Sequence, residues 1–198
     1  MATDRRTLIA DAAIGTIATE GMRGLTHRAV DRAAGLPEGS TSYYFRTRET
    51  LLLAALDRMN ELDTADIAGL VAPDVMADLG ALTEKFTALV RHWVTTARQR
   101  TLARYELSLE ASRRPEVRAR MVEYGSEFRM RAERGLAAAG VPDASRRGRS
   151  LVDQMDGLMF HQIVGVGGAI GEENLDAACR DLLAAAFLGT HGTTSVAN

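Results

Sequence analysis

The sequence predicts an all-α chain of about nine helices, a small three-helix head followed by an antiparallel helical body. Two observations carry this prediction. Apolar residues recur at three- and four-residue spacing through most of the chain, and no stretch alternates apolar and polar residues as a half-buried strand does. Hydrophobic residues make up 46% of the 198, enough for a core without disulfides, and the single Cys179 leaves none to form. A lone cysteine suits a reducing compartment. Residues 3–7 are Thr-Asp-Arg-Arg-Thr, unlike a signal peptide, and no apolar run approaches the roughly 18 residues of a membrane span. The expected location is cytoplasmic, with no membrane partner.

The elements follow in order. Leu8, Ile9, Ala12, Ala13, Ile17 and Ala18 place a first helix over about 4–20, with Gly21 as its left-handed cap. Thr26 suits the N-cap of a second helix whose Ala29, Val30 and Ala33 face inward, and Gly35 makes the turn. Pro37 suits the first turn of a third helix that ends near Phe45, whose ring closes the head. A fourth helix runs from Arg48 or Glu49 to about Leu70, and Pro73 breaks the pattern. The expected division is 1–47 for the head and 48–198 for the body. Leu79, Leu82, Phe86, Leu89, Val90 and Trp93 share one face of a body helix; Leu102, Tyr105, Leu107 and Leu109 mark another, ended by Arg113-Arg114-Pro115. Val117, Met121, Tyr124, Phe128, Ala132 and Leu136 mark a long helix closed by Gly140 and Pro142. Residues about 144–166 and 173–188 read as two last helices, apolar on nearly all sides. The glycine-rich run Gly165–Gly171 follows a helix and lacks phosphate-loop spacing, so it reads as the turn between them, and His191–Asn198 as a frayed tail.

The stretch that carries chemistry is Leu25 to Phe45. Two short helices meet at Gly35, and the second bears small hydroxyl residues followed by Tyr43-Tyr44. A helix-turn-helix lays one helix in a DNA groove and uses flanking hydroxyls on phosphates. Net charge is −2, and through residue 50 seven arginines face six carboxylates, so affinity for DNA must come from a few placed arginines and from dimerisation.

Leu25-Thr26, Arg28-Ala29-Val30, Ala33-Ala34-Gly35, Gly39, Tyr43-Tyr44-Phe45 and Arg48-Glu49-Thr50-Leu51 together resemble the TetR-type transcriptional repressors. The resemblance covers about the first quarter of the chain. Pro37 stands where that family often has Ser or Thr, Thr41-Ser42 where it often has Leu-Tyr, and Tyr44 where it often has His. The resemblance implies a homodimer, a DNA-reading head and a body that binds a small effector. In it Arg28 would reach DNA, Glu38, Gly39, Ser40 and Thr41 would face base edges, and Tyr43, Tyr44 and Arg48 would hold phosphates. Thr26 and His27, at the start of the second helix, complete the expected DNA-facing set. Glu38 has two readings, a carboxylate favoured near a helix N-terminus or an acceptor for a cytosine amino group.

In the body, Phe86, Trp93, Tyr105, Tyr124, Phe128, Met155 and Met159 supply core, and as a set the apolar lining of an effector pocket. Leu151, Met155, Leu158, Leu175, Leu182 and Ala186 on the last two helices are the expected dimer interface. The four histidines, His27, His92, His161 and His191, are dispersed, and no metal or cofactor is expected. No nucleophile and base form a recognisable set, so no enzyme is expected; Glu106 and Glu110 read as partners of Arg104, Arg113 or Arg114. The reading is a repressor released from a near-palindromic DNA operator by an apolar effector. The alternative is a helical adaptor or dimerisation protein that has lost DNA binding.

Overall fold

A computed structural model describes residues 4–70, 75, 78–165 and 171–188. The described residues form nine α-helices and no strand: α1 Arg5–Gly24, α2 His27–Ala33, α3 Ser40–Tyr44, α4 Arg48–Ile67, α5 Leu79–Val94, α6 Arg98–Ala111, α7 Pro115–Ala138, α8 Ala144–Val164 and α9 Glu172–Leu188. The expected break at Pro73, most of the turn Gly165–Gly171, and the tail from His191 lie outside the described residues.

Each head helix has a local cause. Ile9, Ala13 and Ile17 form the fully buried stripe of α1. Helical backbone stops at Gly21, whose φ of 66° with ψ of −177° is open to glycine and strained for other residues, and a last turn carries on to Gly24. Thr26 caps α2 by accepting the amide of Ala29 at 3.1 Å. Ala29 and Val30 are buried as expected. Ala33 is exposed instead, because α2 ends there and the chain turns through Gly35, φ 64°. Pro37 does not open α3. Left-handed Gly39, φ 93°, separates it from a helix that begins at Ser40, and Ser40 Oγ donates back to the Pro37 carbonyl at 2.6 Å.

With five residues, α3 cannot hold itself. It is held by Asp31 of α2, which is 3% exposed. One carboxylate oxygen accepts the Gly39 amide at 2.8 Å and the other the Thr41 amide at 2.7 Å. Burial alone pushes the Asp31 carboxyl up; contacts from Thr41, the amide of Gly39 and the nearby His27 outweigh it and leave the carboxyl below its ordinary value.

The chain divides into two compact units, Met1–Asp66 with His92–Gly125, and Ile67–Arg91 with Ser126–Asn198. In the first, α1 packs along both α2 and α6. One apolar core gathers Ile9, Ile17, Leu25, Val30 and Phe45 of the head with Leu51, Leu52, Leu56, Leu107 and Val117. The head is therefore tied to body helices by packing as well as by chain continuity through α4. Reciprocal bonds between Thr47 and Thr50 close the start of α4, each amide donating to the other hydroxyl at 3.1–3.2 Å. Pro115 opens α7, where a missing N–H costs nothing. Leu109 is 64% exposed, because the buried face of α6 runs through Ala103, Leu107 and Ala111.

In the second unit α8 packs on α9. Arg147 donates to the carbonyls of Ala186 and Phe187 at 3.2 and 3.1 Å, closing the C-terminus of α9. Gly148 lets α8 approach α7; a Cβ there would lie 2.9 Å from the Glu133 backbone nitrogen. The two last helices are not apolar all round. Asp153, Gln154 and Asp156 on α8 and Arg180 and Asp181 on α9 are exposed.

Asp31→Ala leaves the amide donors of Gly39 and Thr41 without their acceptor and should cost about 1–3 kcal/mol. Because the folded carboxyl titrates below 3.8, its contribution is complete above that pH and is lost as pH falls through the folded value. Thermal unfolding followed by circular dichroism should show a lower Tm for the variant at pH 7, with the gap to the parent closing below about pH 3.8.

Candidate functional site

The head presents one polar face built from α2, the Pro37–Gly39 turn and α3. Tyr43 is 80% exposed, while Tyr44 packs against the head core; their rings meet edge to face at 5.1 Å. Adjacent helical residues point different ways, and the pair divides between solvent and core. Ser42 is exposed beside Tyr43, and Glu38 and Gly39 are exposed ahead of α3. Arg28 projects from α2, its Nε 3.9 Å from a Glu38 carboxylate oxygen. Ser40 is half-buried, its hydroxyl turned back to Pro37.

Four expected DNA-facing residues make contacts that hold the fold. Thr41 is 0% exposed, so it cannot meet a base edge; its side chain points inward where Asp31 holds the backbone. Thr26 spends its hydroxyl on the α2 cap. His27 donates from Nε2 to the Phe45 carbonyl at 2.6 Å, tying the start of α2 to the end of α3. Arg48 turns its guanidinium onto the carbonyls that end α1, with Nε to Leu25 at 2.9 Å and Nη2 to Met22. It closes a helix C-terminus, where a cation is favoured. Residues outside the expected set also matter. Asp31 fixes α3, exposed Arg46 follows α3, and Arg6 places its guanidinium 4.7 Å from the centre of the Phe45 ring.

The expected effector residues fall into both units. Trp93, Tyr105 and Tyr124 belong to the first and Phe86, Phe128, Met155 and Met159 to the second. In the first unit, Trp93 donates its indole N–H to Asp66 at 2.8 Å, and Arg100 bonds Asp63 at 2.7 Å and also Asp66. His92 lies 3.5 Å from Asp66. The Arg104 guanidinium sits over both Trp93 and Tyr105, 5.6 and 5.5 Å from the ring centres. Burial pushes the Asp63 carboxyl up against the pull of Arg104 and Arg100. Tyr124 donates to Asp57, which Arg120 also pairs with at 3.2 Å, and burial with that bond pushes the phenol well above its ordinary range. Glu110 pairs with Arg114 at 2.5 Å, as the spacing suggested.

In the second unit Phe86, Met155 and Met159 are buried and Phe128 is half-buried. An open groove of about 750 Å³ runs between α5 and α9, lined by Thr83, Thr87, Arg91, Asp176 and Arg180 among others, and by none of the expected effector residues. Of the expected dimer residues, Met155, Leu175 and Ala186 are buried within the single chain, Ala186 against Leu136 and Val141. Leu151, Leu158 and Leu182 are half-exposed.

Residues 77–188 match the family described as tetracyclin repressor-like, C-terminal domain, and residues 9–55 match bacterial regulatory proteins, tetR family. The chain belongs to the TetR family. This TetR-family transcriptional regulator is 28% identical over 165 residues to the HTH-type transcriptional regulator BetI of Rhizobium meliloti (strain 1021), covering 80% of this chain and 77% of the relative. The TetR-family structure SCO1917 from Streptomyces coelicolor A3 is similar with a TM-score of 0.70 at 30% identity, over 90% of this chain and 98% of that one. The multidrug binding protein EbrR, solved with ethidium, is similar with a TM-score of 0.67 at 30% identity, over 92% and 99%. A regulator from Rhodococcus sp. Rha1 shares the fold, with a TM-score of 0.77 at 20% identity over 94% and 97%. Among the described residues, no helix of this TetR-family chain is long and apolar enough to cross a membrane.

Arg48 and Tyr43 separate cleanly by experiment. Arg48→Ala removes two charged hydrogen bonds from the end of α1 and should lower stability by about 1.5–3 kcal/mol. Tyr43→Phe removes an exposed hydroxyl and should leave the urea midpoint unchanged. Equal midpoints for Arg48→Ala and the parent would return Arg48 to the phosphate role.

Proposed function

We propose that the chain is a homodimeric repressor whose residues 1–47 read DNA and whose residues 48–198 dimerise and bind an effector that releases the DNA. The observation that carries this is the solvent-facing set of Arg28 on α2, Glu38 and Gly39 in the turn, and Ser42 and Tyr43 on the short helix that Asp31 clamps in place. Tyr43 is the phosphate contact, with Tyr44 packed against the head core behind it; Arg28 and Glu38 face base edges with Gly39 and Ser40, and Arg48 acts through the end of α1.

The dimer interface is built by α8 and α9. The half-exposed Leu151, Leu158 and Leu182 support it, together with the exposed Phe160, Val164 and Leu188 on the same helices. Two heads related by a two-fold axis call for a near-palindromic operator.

The effector is aromatic and largely apolar. In the first unit, the faces of Trp93 and Tyr105 already hold a flat cation, the Arg104 guanidinium. The relative EbrR binds ethidium, and its other structures carry malachite green and proflavin, all aromatic compounds. Ligand and DNA then oppose one another through the shared core of α1, α4 and α6. A typical coupling cuts DNA affinity by roughly 5- to 150-fold, and DNA lowers ligand affinity by the same factor.

Light scattering at micromolar concentration should report a dimer. The dimer should retard the duplex upstream of its own coding region, and ethidium should both alter Trp93 emission and release that duplex. A monomer that ignores DNA would leave the adaptor reading. Ethidium that saturates the Trp93 signal while DNA affinity holds would remove the coupling.

A further inference from the structure

We infer that Glu38 is a specificity-determining residue that competes with DNA for Arg28. The inference rests on the DNA-binding reading above.

Arg28 and Arg32 are one turn apart on α2, and both are paired with a carboxylate from a neighbouring segment. Arg28 Nε lies 3.9 Å from Glu38, and Arg32 Nη2 lies 3.6 Å from Glu20. The Arg28–Glu38 pair is open to solvent on both sides, with side chains 80% and 76% exposed. Such a pair adds little to stability, because water screens it and two long side chains must be ordered. Its consequence lies in what the head offers to a duplex. An unpaired arginine is drawn to any phosphate, whatever the sequence. A carboxylate beside the arginine offsets part of its attraction to a phosphate and is itself repelled by one.

Base edges change the balance. Guanine presents two acceptors that a guanidinium takes together, and cytosine presents an amino donor that a carboxylate accepts. A site that supplies both at neighbouring positions satisfies Arg28 and Glu38 at once. A site that supplies neither leaves a carboxylate facing the duplex without a donor. Glu38 thus penalises wrong sequences more than it helps the right one, which is how a nearly neutral head can discriminate. The nearly even charge of the first fifty residues is then part of the device: it suppresses binding to arbitrary DNA.

Glu38 is exposed and supports no buried contact, so Glu38→Gln should fold as the parent does, checked by its circular dichroism spectrum and Tm. The full-length parent, Glu38→Gln, Arg28→Ala and the double variant are each offered a pool of random-sequence duplexes, and the bound fraction is sequenced. Affinity for the unselected pool and for the parent's enriched motif is measured by anisotropy across a salt series. The parent should enrich a narrow motif containing adjacent guanine and cytosine. Glu38→Gln should bind the unselected pool about three- to fivefold more tightly and prefer the enriched motif over it at least about tenfold less. In the Arg28→Ala background the same change should have no such effect. If Glu38→Gln enriches the parent's motif with the parent's preference, or if its effect survives loss of Arg28, the competition is wrong while DNA reading stands. If the parent enriches no motif and binds no duplex, the DNA-binding reading itself falls.

Discussion

A single buried carboxylate decides whether this chain has a recognition helix. Residues 40–44 are too few to form a stable helix on their own, and left-handed Gly39 cuts them off from the turn before. Asp31 binds the amides of Gly39 and Thr41 and thereby positions the start of α3 against α2. His27 does the same for the other end by bonding the Phe45 carbonyl. Both anchors come from α2, so α2 and α3 behave as one rigid piece, and Tyr43 and Ser42 keep a defined direction toward solvent.

That piece is continuous with more than its own domain. Val30, Phe45 and the buried stripe of α1 share a core with Leu51 and Leu56 of α4 and with Ala103 and Leu107 of α6. Arg48 adds a polar tie, joining the start of α4 to the end of α1. A change at the Trp93–Asp66–Arg100 cluster acts on α4, α5 and α6 together, and α6 lies directly against α1. The proposed response to an effector therefore needs no single lever. Packed cores shift between discrete arrangements rather than deforming by degrees.

Much of the fold was legible in the sequence because helix periodicity and caps are local signals. Thr26, Gly21 and Pro115 mark their helix ends by chemistry that acts within four residues, and Phe45 fills the head core as its size and position suggest. The unread parts depend on contacts distant in sequence. Thr41 looked like a base-facing hydroxyl because nothing local reveals that its position points inward. The clue was that this residue stands where the family often carries Leu, an apolar inward position, while the Thr41 amide is bonded by Asp31 ten residues earlier. The tie that Arg48 makes was not legible, because the carbonyls it caps lie 23 and 26 residues upstream. The division at residue 47 reads function from motif position, whereas α1 and α6 join across it in one core. Met155, Leu175 and Ala186 showed the apolar character of an interface, but periodicity alone does not separate a face turned to a partner from one turned to the chain's own interior.

The most direct measurement is native-state hydrogen exchange of the Gly39 and Thr41 amides, resolved residue by residue without DNA. If Asp31 holds α3 before any duplex arrives, both amides exchange slowly, and the Thr41 amide opens only with global unfolding of the head. Exchange of both amides near the rate of an unstructured chain, with α1 still protected, would show that α3 forms only on DNA and would contradict the clamp.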